Sequence, residues 1–157
     1  MKSLLHSGIW VLAFAIAAGA GAWAPPEIPN LCGTWKLSVA KSDFSHATGL
    51  SASTLKIDHQ EPKLRVRTSL VDQLGEHSES YRFTTDGKTN SNTMNGFLTE
   101  TSSVWDGDRL VFDVRIGTSF GYNERWSLSP DGKTLTIKRH TILPRGEITE
   151  EFVFDKQ

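Results

Sequence analysis

The chain has 157 residues, with 17 Lys and Arg against 18 Asp and Glu and a formal net charge of -1. That length suits one domain, large enough to bury a core without a disulfide or metal staple. The near-neutral balance, with basic residues scattered rather than run together, excludes a global field that would gather nucleic acid or an anionic membrane surface.

Residues 1–22 read as a signal peptide. Lys2 is a minimal positive start, "GIWVLAFAIAAGAGAWA" is the apolar stretch, and Ala20-Gly21-Ala22 fits a small-x-small cleavage site before Trp23. This pattern implies export to a periplasm or the extracellular space, with no membrane association once the leader is removed. Its alternative is an uncleaved anchor, at the short edge of what crosses a bilayer. Residues 23–30 form a proline-rich, extended leader to the domain. Cys32 is the sole cysteine, so it has no internal bridging partner in an oxidising compartment. Pro29-Asn30-Leu31 before it lacks the small residue of a lipid-modified cysteine, and a half-buried structural role is the simpler reading.

From 31 to 157 no amphipathic helix is evident. Apolar and polar residues alternate between closely spaced turns, which predicts an all-β domain of about ten strands in up-and-down antiparallel order. Asp86-Gly87, Asn95-Gly96 and Asp106-Gly107 each fit a two-residue hairpin loop. Glu61-Pro62, Gln73-Leu74-Gly75, Pro130-Asp131-Gly132 and Pro144-Arg145-Gly146 mark further connections. The long gap from Ala40 to Ala52 can hold a short helix or a lid.

Tight turns propagate side-chain facing from strand to strand. With Leu110, Phe112 and Val114 inside, the turns place Ser103, Thr101 and Thr99 opposite them on one side. Leu128, Trp126 and Glu124 fall opposite them on the other. Leu135, Ile137 and Arg139 then oppose Leu128, Trp126 and Glu124, Phe154 and Phe152 lie beside Ile137 and Arg139, and Glu150 is diagonal to Arg139. Asn92 and Asn90 fall opposite Thr99 and Thr101, with Tyr81 and Phe83 beyond them. The same count sends Arg82, Glu100, Asp113, Arg115, Arg125, Lys138, His140 and Glu151 outside. One parity choice thus separates an apolar or uncharged inside from a charged outside, as a closed or nearly closed sheet requires.

Trp35, Leu37 and Val39 share one face of the first strand, and Trp35 is placed to close one barrel end while its indole N–H finds a polar partner. "CGTWKL" at the head of such a chain resembles the calycins, the lipocalin and fatty-acid-binding-protein superfamily, whose Gly-x-Trp signature falls here on Gly33 and Trp35. The strand count and the "VWDGDRLVF" hairpin are similar to the fatty-acid-binding branch. The pattern "GTWKL…KSDF…WDGD…ERWSLSPDGKTLT" also resembles exported bacterial proteins of unassigned function. The resemblance implies a barrel able to enclose a small molecule. The Arg-x-Tyr carboxylate clamp of the intracellular branch is absent, since the last strand reads Phe152-Val153-Phe154, and the gap after strand one is short for that branch's helical lid.

The register sets Thr68, Tyr81, Asn92, Thr99, Glu124 and Arg139 at similar height on successive inner faces, with Glu150 nearby and Val66, Phe83, Phe112, Trp126, Ile137 and Phe154 in apolar flanking layers. Burying unpaired ions costs several kcal/mol each, so a dry core would not select two carboxylates and a guanidinium. A barrel wider than eight strands leaves room for water or ligand. The candidate ligand-binding residues are therefore Tyr81, Asn92, Thr99, Phe112, Glu124, Trp126, Arg139 and Glu150, for an amphipathic or apolar small molecule held by a monomer without a cofactor or metal. A cross-strand Glu124–Arg139 pair that serves the sheet alone is the plain alternative. Two further readings stay open: an envelope or secreted protein that acts through its outside, and a barrel enzyme using Glu124 or Glu150 as a general base. A lone inward His59 or His77 as a haem ligand is a weaker option without a ligand cluster.

Overall fold

The structure is a computed structural model that describes residues 27–44 and 49–157, apart from 95 and 119. The signal-peptide reading and residues 23–26 of the proline-rich leader lie outside the described residues.

Ten strands are present among the described residues: β1 (Gly33–Leu37), β2 (Ala52–Gln60), β3 (Lys63–Asp72), β4 (Gly75–Thr84), β5 (Asn90–Met94), β6 (Phe97–Asp106), β7 (Arg109–Ile116), β8 (Phe120–Leu128), β9 (Thr134–Leu143) and β10 (Gly146–Lys156). A single 3-10 turn, Val39–Lys41, follows β1. The strands form one antiparallel sheet in the order β4-β3-β2-β1-β10-β9-β8-β7-β6-β5. Neighbours in sequence are neighbours in space, and the β1–β10 pairing curls the meander into a nearly closed barrel. Alternation explains it: in β3, Leu64, Val66 and Thr68 are buried while Lys63, Arg65 and Arg67 are exposed.

The inside-or-outside assignment holds through β6–β10, but three registers sit two residues from the expected ones. Trp105, not Ser103, faces Leu110, because the hairpin between β6 and β7 turns on Gly107-Asp108 rather than Asp106-Gly107. Gly107 takes the first loop position with φ +63°, a conformation glycine adopts without steric cost. Phe112 therefore faces Glu124, and Leu110 faces Trp126. The β9–β10 loop turns on Pro144-Arg145, which sets Glu150 directly opposite Arg139 and Phe152 opposite Ile137. A shift of two keeps every side chain on its face, so the core survives and only the partners change.

One expected hairpin does not form. β4 and β5 are the two edges of the sheet and share no ladder. After β4 the chain crosses to β6, where Gly87 N–H donates to the Ser103 carbonyl at 2.8 Å and Asp86 bridges Val104. β5 is short and polar, and side chains rather than backbone stitch it to β4. Asn92 Nδ2 donates to the Arg82 carbonyl and Arg82 N–H donates to Asn92 Oδ1, both at 2.9 Å. A primary amide offers a donor and an acceptor in the geometry of a peptide group, so it substitutes for one rung of the missing ladder.

The two barrel ends differ. At one, Trp35 is fully buried, its indole N–H donates to the Leu31 carbonyl at 3.0 Å, and Leu31 is itself buried. His59 closes the same floor: its Nδ1 lies 3.4 Å from Leu31 N and its Nε2 2.6 Å from Glu61 Oε1. Glu61 also accepts from Trp105 Nε1 at 2.7 Å and Thr85 Oγ1 at 2.5 Å. At the other end Leu74 in its turn and Phe97, Leu98, Phe120 and Ile142 on the strand ends are exposed.

Candidate functional site

The inner wall is layered from the plugged end upward. Above Trp35 an aromatic floor forms from Phe83, Phe112 and Trp126, with Phe83 edge-on to Phe112 at 5.4 Å and Phe112 at 4.8 Å from Trp126. Phe112 and Trp126 come from the paired strands β7 and β8, and the curl of the sheet brings Phe83 from the edge strand β4 against them.

The polar set stands directly on that floor. Its centre is a cross-strand triplet, Glu124 on β8, Arg139 on β9 and Glu150 on β10, in one rung. Arg139 Nε and Nη2 both donate to Glu124 Oε1, at 2.9 and 2.7 Å, and Trp126 Nε1 donates to Glu124 Oε2 at 2.8 Å. The Arg139 guanidinium also stacks on Tyr122 at 4.6 Å and on Phe152 at 5.0 Å. Its Nη1 lies 3.9 Å from Glu150 Oε2, an ionic contact without hydrogen-bond geometry. Burial opposes the charge of Arg139, but Glu124, Tyr122 and Glu150 together outweigh it and hold its pKa above the ordinary value. Arg139 faces inward, yet its side chain is 33% exposed while those of Glu124 and Glu150 are 10% and 8% exposed. Solvent therefore reaches the Arg139 side chain.

Across from the triplet, Tyr81 on β4 donates to Glu79 Oε2, and its ring lies 6.0 Å from Phe83. Burial, the Glu79 bond and the Glu79 charge raise the Tyr81 pKa; burial and the Glu124 charge do the same for Tyr122. Both phenols stay protonated at neutral pH and serve as hydroxyl donors.

Six of the eight candidate residues thus line one region: Tyr81, Phe112, Glu124, Trp126, Arg139 and Glu150. Two do not act as expected. Asn92 turns to the β4 backbone and closes the seam, because an unpaired strand edge is the stronger claim on its amide. Thr99 is inward and buried, but its hydroxyl bonds the Phe97 carbonyl at 3.2 Å within its own strand.

Three contributors escaped the candidate set. Glu79 shares the inner face of β4 with Tyr81 and was legible by the same alternation. Thr101 is inward and 1% exposed, and its Oγ1 has no partner. Phe44 lies in the gap after β1, where Asp43 bridges Glu151 and Ser42 Oγ accepts from Val153 N–H at 2.9 Å. That stitching extends the wall beside β10 and stacks Phe44 on Phe152 at 5.5 Å. Residues 45–48, which follow Phe44, lie outside the described residues.

The His59 ring is engaged on both nitrogens by Leu31 and Glu61, and His77 Nε2 pairs with Asp72 at 3.1 Å. On the outside, a groove of about 350 Å³ runs over β2–β4 beside Lys56, Arg67, Ser69 and Ser78.

No family model matches the chain, and no curated protein sequence matches it. Solved structures do. A secretory abundant heat soluble protein from Ramazzottius varieornatus aligns with TM-score 0.63 at 11% identity, over 85% of this chain and 100% of that one. Zebrafish ileal bile acid-binding protein complexed with cholic acid aligns with TM-score 0.59 at 12% identity, over 80% and 98%. A fatty acid transporter, REP1-NXSQ, aligns with TM-score 0.59 at 14% identity, over 81% and 96%. The barrel is calycin-like. In this calycin-like barrel Gly33 and Trp35 stand on β1, as the Gly-x-Trp resemblance implied.

Proposed function

We propose that this calycin-like barrel is an exported carrier that encloses a small amphipathic or apolar molecule, with its body on the aromatic floor and its head among Tyr81, Tyr122, Glu124, Arg139 and Glu150. The observation that carries this reading is Arg139: an inward-facing guanidinium, paired and stacked, that keeps a third of its side chain open to solvent. A polar set placed above an apolar floor and reached from one mouth is the arrangement by which small-molecule sites fix orientation. Structures of similar shape include one named a fatty acid transporter and one holding cholic acid, which supports the ligand class. Export rests on the leader at 1–22.

Native mass spectrometry of the purified chain, followed by organic extraction, tests the reading. A co-purifying lipid or pigment is the expected result. No bound species, together with no uptake of added amphiphiles, overturns it. A second reading, an interaction protein working through its outside, is favoured by the ring of exposed Leu74, Phe97, Leu98, Phe120 and Ile142 around the mouth. It predicts concentration-dependent association that Phe97→Ser with Leu98→Ser removes.

A further inference from the structure

We propose that the outer face of β1–β4 is a docking site for a polysaccharide chain bearing sulfate or phosphate esters. The site lies outside the barrel and is independent of what the interior carries.

Strand register gathers there basic residues that are scattered along the chain. Lys36 on β1, Lys56 on β2, Lys63, Arg65 and Arg67 on β3 and Arg82 on β4 alternate with inward residues and are exposed. Successive rungs of the ladder hold them, and Asp58 is the one acid on those rungs of β1–β4. None of these cations has an ion pair among the described residues. Asp155, the acid beside Lys36 on β10, is held by Lys41 at 2.8 Å. Elsewhere Lys88, Arg109, Arg115 and Lys138 each lie against an acid.

The arrangement opposes the sheet that carries it. Lys56 stands directly opposite Arg67, and Arg65 directly opposite Arg82. Like charges facing each other across a ladder destabilise it, and a bound polyanion removes that repulsion. The face is also grooved. One groove of about 350 Å³ runs beside Thr54, Lys56, Arg67, Ser69, Ser78 and Ser80, and a second of about 330 Å³ beside Gln60, Lys63, Arg65, Arg82 and Asn90. Hydroxyls and amides next to the cations supply neutral donors for ester oxygens. With same-face residues about 6.8 Å apart along a strand and strands about 4.8 Å apart, the basic block measures roughly 20 by 14 Å, so several anionic groups of one chain meet it together. Its lining selects among polyanions. A groove admits a narrow chain, whereas a planar bilayer rests on its rim. These rungs expose no aromatic ring on which a base could stack and no large apolar side chain that could enter a membrane.

Fluorescence anisotropy of the intact protein with labelled dextran sulfate and labelled unsulfated dextran of equal length, at low ionic strength, tests the site. Dextran sulfate is expected to bind, dextran is not, and added salt weakens the complex. Lys56→Gln with Arg67→Gln is expected to lower dextran sulfate affinity on the order of tenfold while the urea midpoint holds or rises, because a repulsion is removed. Arg125→Gln with Lys138→Gln takes the same charge from the outside of β8 and β9 and is expected to leave binding within about twofold. No binding of dextran sulfate, equal losses from the two double variants, or full binding by the Lys56/Arg67 variant overturns the site. Tighter binding of phosphatidylglycerol vesicles or of a DNA duplex, at equal anion concentration, overturns the polysaccharide assignment. If Lys56→Gln with Arg67→Gln does not fold, Arg65→Gln with Arg82→Gln carries the same expectation.

Discussion

Arg139 and Glu124 meet across β8 and β9 with two guanidinium nitrogens on a single carboxylate oxygen, while Trp126 takes the other. Both carboxylate oxygens of Glu124 are thus engaged inside the barrel. Arg139→Met removes the cation and leaves Glu124 and Glu150 facing each other's charge. The expected loss is about 2 kcal/mol by urea unfolding, below the range for a fully enclosed pair because Arg139 keeps contact with water. In a double-mutant cycle with Glu124→Gln the two changes are expected to be strongly non-additive. Additive losses would show that the pair does not act as a unit.

Glu61 gives a pH dependence with a defined sign. Burial opposes its ionisation, but bonds from Thr85, His59 and Trp105 outweigh this and hold its pKa below the ordinary 4.5. A carboxyl depressed in the folded state contributes stability above its unfolded value, and that contribution fades as pH falls through the folded value. Glu61→Gln is therefore expected to cost about 1 kcal/mol at neutral pH, a figure reduced for solvent screening, since the side chain is 37% exposed. At about pH 3 the difference from the unaltered chain is expected to shrink. A gap that widens on acidification would contradict the assignment.

Two side-chain amides bridge the seam between β4 and β5: Asn92 pairs with the Arg82 backbone, and Asn90 Nδ2 donates to Thr84 Oγ1 at 3.1 Å. Asn92→Ala removes both bonds to Arg82 and is expected to cost about 1–2 kcal/mol. The diagnostic readout is hydrogen exchange: the Arg82 amide should lose protection while amides in β9 and β10 keep theirs. Unchanged protection at Arg82 would mean that the seam is held by something else.

Facing was legible in the chain because side chains on a strand alternate with period two and each primed turn carries that phase across. Leu110, Phe112, Trp126 and Ile137 inside, with Arg125 and Lys138 outside, follow from this alone. Partner identity was not legible. Whether a hairpin turns on Asp106-Gly107 or Gly107-Asp108 leaves the faces alone and moves every neighbour by two, and the same kind of shift at the Pro144-Arg145 loop sets Glu150 opposite Arg139 rather than diagonal to it.

By itself, then, the sequence determined an up-and-down β meander with charge outside, a buried tryptophan on β1, and a Glu124–Arg139 pair on its inner face. Only the tertiary structure decided where the barrel fails to close, what Asn92 does there, and that Phe44 joins the inner wall. Alternation is a local property that survives translation along a strand. Closure and the commitment of each polar group depend on which distant strand arrives beside it, and that is set by the summed curl and register of the whole sheet.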